Sequence, residues 1–114
     1  MLKKTVLRKK SDFSLLYNKG KSVNDRYVVL FLKKNGLPYN RIAFLASKKV
    51  GNSVVRNRAR RLMKESYREI KEHMDIGYDF IFIARKTICN LKCADVQKSM
   101  EAAIKRAGAF KRKF

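Results

Sequence analysis

The first hydrophobic pattern in the chain has the spacing of a short helix. Over residues 11–18, Phe13, Leu16 and Tyr17 fall on one face at about 3.6 residues per turn, and Gly20 follows as a helix stop. This pattern predicts a first helix that packs through an aromatic and aliphatic side.

The next two patterns have the composition of strands. Residues 26–34 are rich in β-branched and aromatic side chains, and residues 41–46 form a second apolar run. Between them, Asn35 and Gly36 form a dipeptide that favours a hairpin turn, although Pro38 implies a somewhat longer loop. We therefore expect residues 41–46 to return beside residues 26–34 as a hairpin partner.

The second half of the chain alternates helix, strand and helix. A long helix is predicted over residues 53–74, with Asn52 or Ser53 as its cap. Residues 78–84 are apolar on both faces, which suits a strand at the centre of a sheet, and the stripe over residues 92–107 predicts a last helix. The order is helix, two or three strands, helix, strand, helix. It predicts an α+β fold, a single-domain two-layer sandwich.

The net charge indicates what kind of partner the protein binds. The chain has 29 Lys and Arg residues against 9 Asp and Glu, a formal net charge of +20, and 46% of its residues are hydrophobic. The hydrophobic content allows folding, whereas the excess charge repels itself in a compact chain and favours a polyanionic partner. With 114 residues we expect one domain over residues 1–114. The basic segments at 1–9 and 109–114 are candidates for a flexible arm and tail.

Two kinds of polyanion are candidate partners: nucleic acid and an anionic membrane surface. No segment approaches the run of about 18 apolar residues that a membrane span requires. The N-terminus turns basic again before the apolar region of a signal peptide could form. We therefore expect a cytoplasmic protein, with nucleic acid as the favoured partner.

The long helix carries the strongest functional signal. Placed at about 3.6 residues per turn, its side chains separate into an apolar stripe, a basic sector and an acidic sector. The basic sector contains Arg56, Asn57, Arg60, Arg61, Lys64 and Arg68, and Arg58 falls with the acids Glu65, Glu69 and Glu72. A solvated helix face usually mixes the two signs at i,i+4, so this segregation favours a phosphate-binding surface over a merely solvated one. Lys48 and Lys49 add positive charge just before the helix.

Aromatic residues give a second signal. Phe13 and Tyr17 lie one turn apart on the first helix, and Phe31 shares one face of the first predicted strand with Tyr27 and Val29. These rings form either an open platform on which single-stranded bases stack or part of the hydrophobic core. The pattern alone leaves both interpretations open.

The groups that would make the protein itself a nuclease are missing from the sequence. It contains one His and no cluster of carboxylates. Asp75 and Asp79 flank Gly77, which favours turn and cap roles over metal binding. The two cysteines, Cys89 and Cys93, lack further zinc ligands and are expected to be reduced thiols. We expect no catalytic residue and no metal site in the protein.

Three stretches of the chain together resemble one known family. Residues 47–62, with an Arg-Asn-Arg element at 56–58, are similar to the signature of the protein subunit of bacterial ribonuclease P. Residues 13–20 are similar to the first helix of that family, and residues 77–85 to its last strand. The resemblance covers nearly the whole chain in the same order, which makes it specific.

The resemblance implies a fold and a division of labour. The fold would have the order α-β-β-β-α-β-α, with a left-handed crossover around the long helix. The protein would bind no cofactor by itself and would be a subunit of an endoribonuclease, a hydrolase that removes the 5′ leader of precursor tRNA. Catalysis and the Mg²⁺ that it uses would belong to the partner, the catalytic RNA subunit.

The resemblance also assigns residues to two surfaces. The face of the long helix would bind the catalytic RNA, through Arg56, Asn57, Arg58, Arg60, Arg61, Lys64 and Arg68. A cleft between that helix and the sheet would hold the single-stranded leader, through Phe13, Tyr17, Phe31, Lys48 and Lys49. A ribosomal or RNA-chaperone protein, equally small and basic, is the alternative function, and a nuclease in its own right is the third.

Overall fold

The structure, a computed structural model, describes residues 4–88 and 91–111 and has the predicted order of elements. In chain order these are α1 (Lys10–Lys19), β1 (Lys21–Asn24), β2 (Val28–Lys34), β3 (Arg41–Leu45), α2 (Ser53–Ile70), β4 (Tyr78–Ala84) and α3 (Cys93–Ala107). Two short 3₁₀ turns follow α2 and β4, at Lys71–His73 and Lys86–Ile88. The α+β class and the order α-β-β-β-α-β-α are confirmed.

The ends of the helices follow from local chemistry. The side chain of Asn52 accepts a hydrogen bond from the Val55 amide at 3.0 Å, so Asn52 is the cap of α2 and Ser53 is its first residue. The α-helix ends at Ile70, four residues before the predicted end, because the chain tightens into the 3₁₀ turn. Gly108 closes α3 with a φ of 73°, a backbone conformation that favours glycine.

The predicted hairpin between β2 and β3 is wrong. The strand order is β1-β2-β4-β3, so β4 lies between the two strands, antiparallel to β2 and parallel to β3. A strand that is apolar on both faces must be covered on both, which is possible in the interior of a sheet with helices on each face, and β4 takes such a position. The true hairpin partner of β2 is β1, whose sequence Lys-Ser-Val-Asn has little strand character of its own. The hand of the β3-α2-β4 crossover remains a prediction of the family resemblance.

Each face of the sheet packs against different helices. The face covered by α2 and α3 holds the main core, to which the sheet contributes Val28, Leu30, Leu32, Phe80, Phe82 and Ala84. The opposite face holds a smaller cluster of Ala43 and Ile81, with Phe31 packed against it, under Leu16 of α1. The two-layer sandwich therefore describes the sheet with α2 and α3, and α1 lies across the other face. No helix in the described ranges is long and apolar enough to cross a membrane.

Parts of both basic ends belong to the fold. Ile42 of β3 accepts a hydrogen bond from the Leu7 amide at 3.0 Å and donates one to the Thr5 carbonyl at 2.9 Å, and Leu7 is buried. At the other end Ala109 is fully buried, and Phe110 forms a bridge with Met74. Residues 5–7 and 109–110 thus contact the folded core, because each segment carries an apolar anchor, and the flexibility of the arm and tail stays a prediction. Residues 1–3 and 112–114 lie outside the described residues.

An ion pair joins β3 and β4. Arg41 and Asp79 face each other in the register of the two strands, and the guanidinium grips both carboxylate oxygens, with Nε at 2.8 Å from Oδ1 and Nη2 at 2.6 Å from Oδ2. Asn35 donates to the same carboxylate at 2.9 Å, and Asp12 of α1 lies 3.5 Å from Arg41. The hydrogen bonds to Asp79 raise the pKa of Arg41, so its guanidinium stays protonated. Asp79 thus has a structural role that its position beside Gly77 did not reveal.

Removing the cation of this pair should destabilise the protein. In Arg41→Met the carboxylate of Asp79, which is only 5% exposed, keeps Asn35 as a partner but loses its counter-charge. We expect the free energy of unfolding in urea to fall by about 3 kcal/mol, as for other broken buried pairs. The matched control is Arg61→Met, at an exposed position, which should change it by less than about 0.5 kcal/mol. Equal stability of the two variants would contradict the importance of the pair.

Candidate nucleic-acid interface

The helix α2 is divided into faces as its sequence predicts. Its apolar stripe enters the main core through Ala59, Met63, Ser66 and Ile70, which are buried, and Val55 and Leu62, which are half-buried. The hydroxyl of Ser66 donates to the Leu62 carbonyl at 2.8 Å, so the one polar member of the stripe is satisfied within the helix. This packing fixes the rotation of α2 and thereby decides which side chains face outward.

The cations of α2 lie on the outward side. Asn57, Arg58, Arg61, Lys64 and Arg68 are exposed, and Arg56 and Arg60 are half-buried. The guanidinium of Arg60 donates to the side-chain oxygen of Asn57, which holds the two side chains together on the helix. Arg58 points elsewhere, since its Nη2 donates to the Leu91 carbonyl at 3.3 Å beside the start of α3. The structure thus gathers most of the predicted residues on one side and turns Arg58 towards α3.

The charge of this face is not balanced within the fold. In the described part of the chain the ion pairs are those of Arg41 with Asp12 and Asp79 and of Arg106 with Asp25, and none involves a cation of α2. The Nε of Arg56 is buried and has no hydrogen-bond partner among the described residues, which is unfavourable for a buried donor. Like charges in this density repel each other unless an external anion neutralises them.

A groove runs between this face and β3. It encloses about 410 Å³, and it is lined by Val6, Ile42, Ala43, Phe44, Arg60, Arg61 and Lys64. Its floor is apolar and one wall is cationic, which suits a ligand with both an apolar and an anionic part. The sequence pattern of α2 predicted the cationic wall. It could not predict the floor, because Val6 reaches β3 only through the bridge with Ile42.

The three predicted aromatic residues form one cluster on the face of the sheet that α1 covers, so the expectation that they line a cleft between the long helix and the sheet is wrong. The ring centroids of Phe13 and Tyr17 are 6.5 Å apart, and Tyr17 meets Phe31 edge to face at 5.0 Å and 84°. Tyr17 is 43% exposed, whereas Phe13 and Phe31 are half-buried, and partial burial raises the pKa of Tyr17. The cluster is therefore both the edge of the smaller core and a surface open to solvent.

One aromatic residue departs from the prediction. Tyr27 was expected to share a face with Phe31, but β2 begins only at Val28. Tyr27 lies in the turn before it, where its amide donates to Ser99 at 3.2 Å and its ring packs against the main core. The alternation of a strand does not apply to a turn residue, which is why the expectation failed.

The structure does not place the two predicted lysines with the aromatic cluster. Lys48 and Lys49 are exposed in the turn between β3 and α2, where the Lys49 amide donates to the hydroxyl of Ser47 at 3.3 Å. They precede the N-terminus of α2, whose free amides add partial positive charge to the same end. Their assignment to the leader site stays a prediction.

The side chains that could bind a metal either have other contacts or lie apart from one another. Within residues 4–88 and 91–111 no three His, Cys, Asp or Glu side chains come together as a metal site. Asp79 is held by Arg41, and the carbonyl of Asp75 accepts a hydrogen bond from Asn40 at 2.7 Å. Cys93 is a free thiol 3.4 Å from the Ser66 hydroxyl, and Cys89 lies outside the described residues.

A small α+β domain with a one-sided basic helix and a partly exposed aromatic cluster is typical of proteins that bind a polyanion. The profile of the family described as Ribonuclease P matches residues 1–108 of the chain. The chain is 41% identical over 110 residues to the ribonuclease P protein component of Clostridium botulinum, which covers 96% of this chain and 99% of that protein. It is 44% identical over 101 residues to that of Clostridioides difficile, covering 88% and 89%.

A solved structure agrees with these sequence relatives. The RNase P protein of Staphylococcus aureus superposes with a TM-score of 0.85 at 33% identity, covering 96% of this chain and all of that one. The chain belongs to the ribonuclease P protein family. This membership confirms the predicted role as the protein component of an endoribonuclease, and it implies partnership with the RNA of that enzyme.

Proposed function

We propose that the chain, as the protein component of ribonuclease P, binds the catalytic RNA through α2 and the single-stranded 5′ leader of precursor tRNA through its aromatic cluster. The RNA subunit would bind the Mg²⁺ and carry out hydrolysis, in the cytoplasm. The observation that carries the proposal is the outward face of α2, where the cations form no ion pair within the described part of the chain.

The chemistry of that face suits phosphate. Arginine presents a planar fork that can hold two phosphate oxygens at once, and the contact between Asn57 and Arg60 limits the freedom of one such fork before RNA arrives. Arg56, Arg61, Lys64 and Arg68 extend the contact along the helix. Because α2 packs firmly through Met63 and Ile70, the cations stand on a rigid support and lose less freedom on binding.

The aromatic cluster suits an unpaired strand. The exposed ring of Tyr17 stands beside Phe13 and Phe31, so successive bases could stack on ring surfaces. Stacking tolerates every base, which fits leaders that differ in sequence, and Lys48 and Lys49 would contribute phosphate contacts that carry no sequence information. The proposed leader site therefore selects a single strand and not a particular sequence.

The division of labour can be tested by cleavage of precursor tRNA with Mg²⁺. We expect no cleavage by the protein alone, slow cleavage by the catalytic RNA alone at low Mg²⁺, and faster cleavage when both are present. The reason is that the protein neutralises phosphate repulsion that Mg²⁺ must otherwise offset. Cleavage by purified protein alone would overturn the proposal, and an unstimulated RNA would favour a ribosomal or RNA-chaperone role.

If α2 binds RNA through its cations, removing one of them should change how RNA affinity depends on salt concentration. Arg61→Gln removes one exposed cation of the proposed RNA face, whereas Lys98→Gln removes one from α3. For Arg61→Gln we expect weaker binding of the catalytic RNA and a slope of log affinity against log salt that is smaller by about one. Lys98→Gln should bind with the wild-type slope. If both variants show the same slope, the position of the cation on α2 does not matter for RNA binding, and only the net charge of the whole protein does.

The aromatic cluster predicts an effect that depends on the leader. Tyr17→Leu removes the exposed ring and should weaken binding of leader-bearing precursor tRNA to the holoenzyme about fivefold or more, since stacking contributes about 1–3 kcal/mol per base. Binding of tRNA without a leader should not change, and Tyr17→Phe should bind as the wild type does. If both substrates weaken equally, the ring supports the fold and does not bind the leader.

A further inference from the structure

A second cavity lies beside the groove between α2 and β3. The second cavity encloses about 350 Å³ and shares Ile42 with the first, so the two adjoin along β3. Its walls combine aromatic, apolar and charged side chains, which are Thr5, Tyr39, Asn40, Ile42, Tyr67, Lys71, Glu72, Met74, Ile76 and Lys111. Neither Tyr39, Tyr67 nor Lys71 belongs to the surfaces that the family resemblance assigns.

One row of side chains from α2 and the first residue of the turn after it lines the two cavities. Arg60, Lys64, Tyr67 and Lys71 follow one another at intervals of four, three and four residues, the spacing at which side chains stack along one side of a helix. At 1.5 Å per residue the row is about 16 Å long. Three cations therefore stand along the groove, with one aromatic ring among them.

The second cavity has the features of a base-binding pocket. The Tyr67 ring is held edge to face against Phe44, with the centroids 5.7 Å apart, and burial raises the pKa of its hydroxyl, which therefore stays protonated and able to donate. Tyr39 stands at the other side, with the Lys4 ammonium 4.7 Å from its ring centroid. The volume lies at the lower end of the range for sites that take small organic groups.

The charges around this cavity favour an anion. Lys71 and Lys111 line it and Lys4 lies next to it, against the single carboxylate of Glu72. Asn40 is already held by the fold, because its amide donates to the Asp75 carbonyl at 2.7 Å and its oxygen accepts from the Tyr78 amide at 2.9 Å, which leaves one N–H and one lone pair for any ligand. A ligand here would be held mainly by stacking and by phosphate contacts.

We propose that this groove is an RNA-binding site separate from the leader site, in which an unstacked nucleobase enters the cavity between Tyr39 and Tyr67. Lys71, together with Arg60 and Lys64 of the proposed RNA surface of α2, would contact the phosphates of the same strand. The inference rests on the proposed function, since it takes RNA as the polyanion that α2 binds. It differs from the leader site in position, because the aromatic cluster of Phe13, Tyr17 and Phe31 lies on the opposite face of the sheet from Tyr67.

The site can be tested with the full chain and a short oligouridylate that carries a photoreactive thiouridine. We expect crosslinks at Tyr39 or Tyr67 in addition to crosslinks at the aromatic cluster. Tyr39→Leu should weaken binding about fivefold or more and remove the groove crosslinks, whereas Tyr39→Phe should retain both. In Tyr17→Leu the groove crosslinks should persist, because the two sites are separate.

A second pair of variants tests the phosphate contacts without touching an aromatic residue. Lys71→Gln should lower the salt slope of oligouridylate binding by about one, whereas the matched Lys98→Gln on α3 should leave it unchanged. Both lysines are exposed, so neither variant should alter the melting temperature, and a loss of binding cannot be ascribed to unfolding.

The outcomes separate this inference from the proposed function. If crosslinks appear only at the aromatic cluster, and Tyr39→Leu and Lys71→Gln bind as the wild type does, the groove is not an RNA site while the proposed function stands. If the wild-type chain binds neither the oligouridylate nor the catalytic RNA, both fail. Crosslinks in the groove that vanish in Tyr39→Leu and persist in Tyr17→Leu would establish the second site.

Discussion

The ion pair between Arg41 and Asp79 is the constraint on which the arrangement of the sheet depends. A carboxylate inside a sheet is unfavourable unless a cation and hydrogen bonds meet it, and Arg41 meets it from the one strand that runs parallel to β4. The pair therefore favours the observed register of β3 against β4. Through Asn35 it also fixes the turn after β2, and through Asp12 it reaches α1. Both proposed RNA surfaces stand on elements that this interaction holds in place.

The surface is so basic because the chain has few carboxylates and several of them are engaged in ion pairs. The three aspartates in ion pairs, Asp12, Asp25 and Asp79, are engaged with Arg41 and Arg106. Two of the four glutamates, Glu65 and Glu69, lie on the acidic side of α2, away from its basic sector, and Glu72 lies in the turn that follows the helix. What remains is a helix whose inward side is apolar and whose outward side is cationic. The separation is unfavourable for the free protein, because like charges are close together, and it becomes favourable when phosphate is supplied.

Local patterns were predicted from the sequence, and non-local pairings were not. The bounds of β4 followed from a continuous apolar run and the apolar stripe of α2 from periodicity, and both signals depend only on neighbouring residues. The insertion of β4 between β2 and β3 did not follow, because Asn35 and Gly36 signal a turn whether or not the flanking strands pair. The groove was missed for the same reason: its walls come from distant segments, and Tyr67 has the spacing of an ordinary core residue. The aromatic cluster was found, but only the structure could show that Tyr17 is exposed.

The bridge of Val6 to Ile42 has a further consequence for the free protein before it meets RNA. An uncovered edge strand offers unpaired backbone groups to other chains and is a common starting point for aggregation. Here the outer edge of β3 is occupied by residues 5–7, and the opposite edge is β1, a strand of only four residues that begins with an exposed lysine. Mutual repulsion between highly charged copies adds to this protection. The N-terminal segment thus covers part of the free edge of β3, at which the sheet of another copy could otherwise pair.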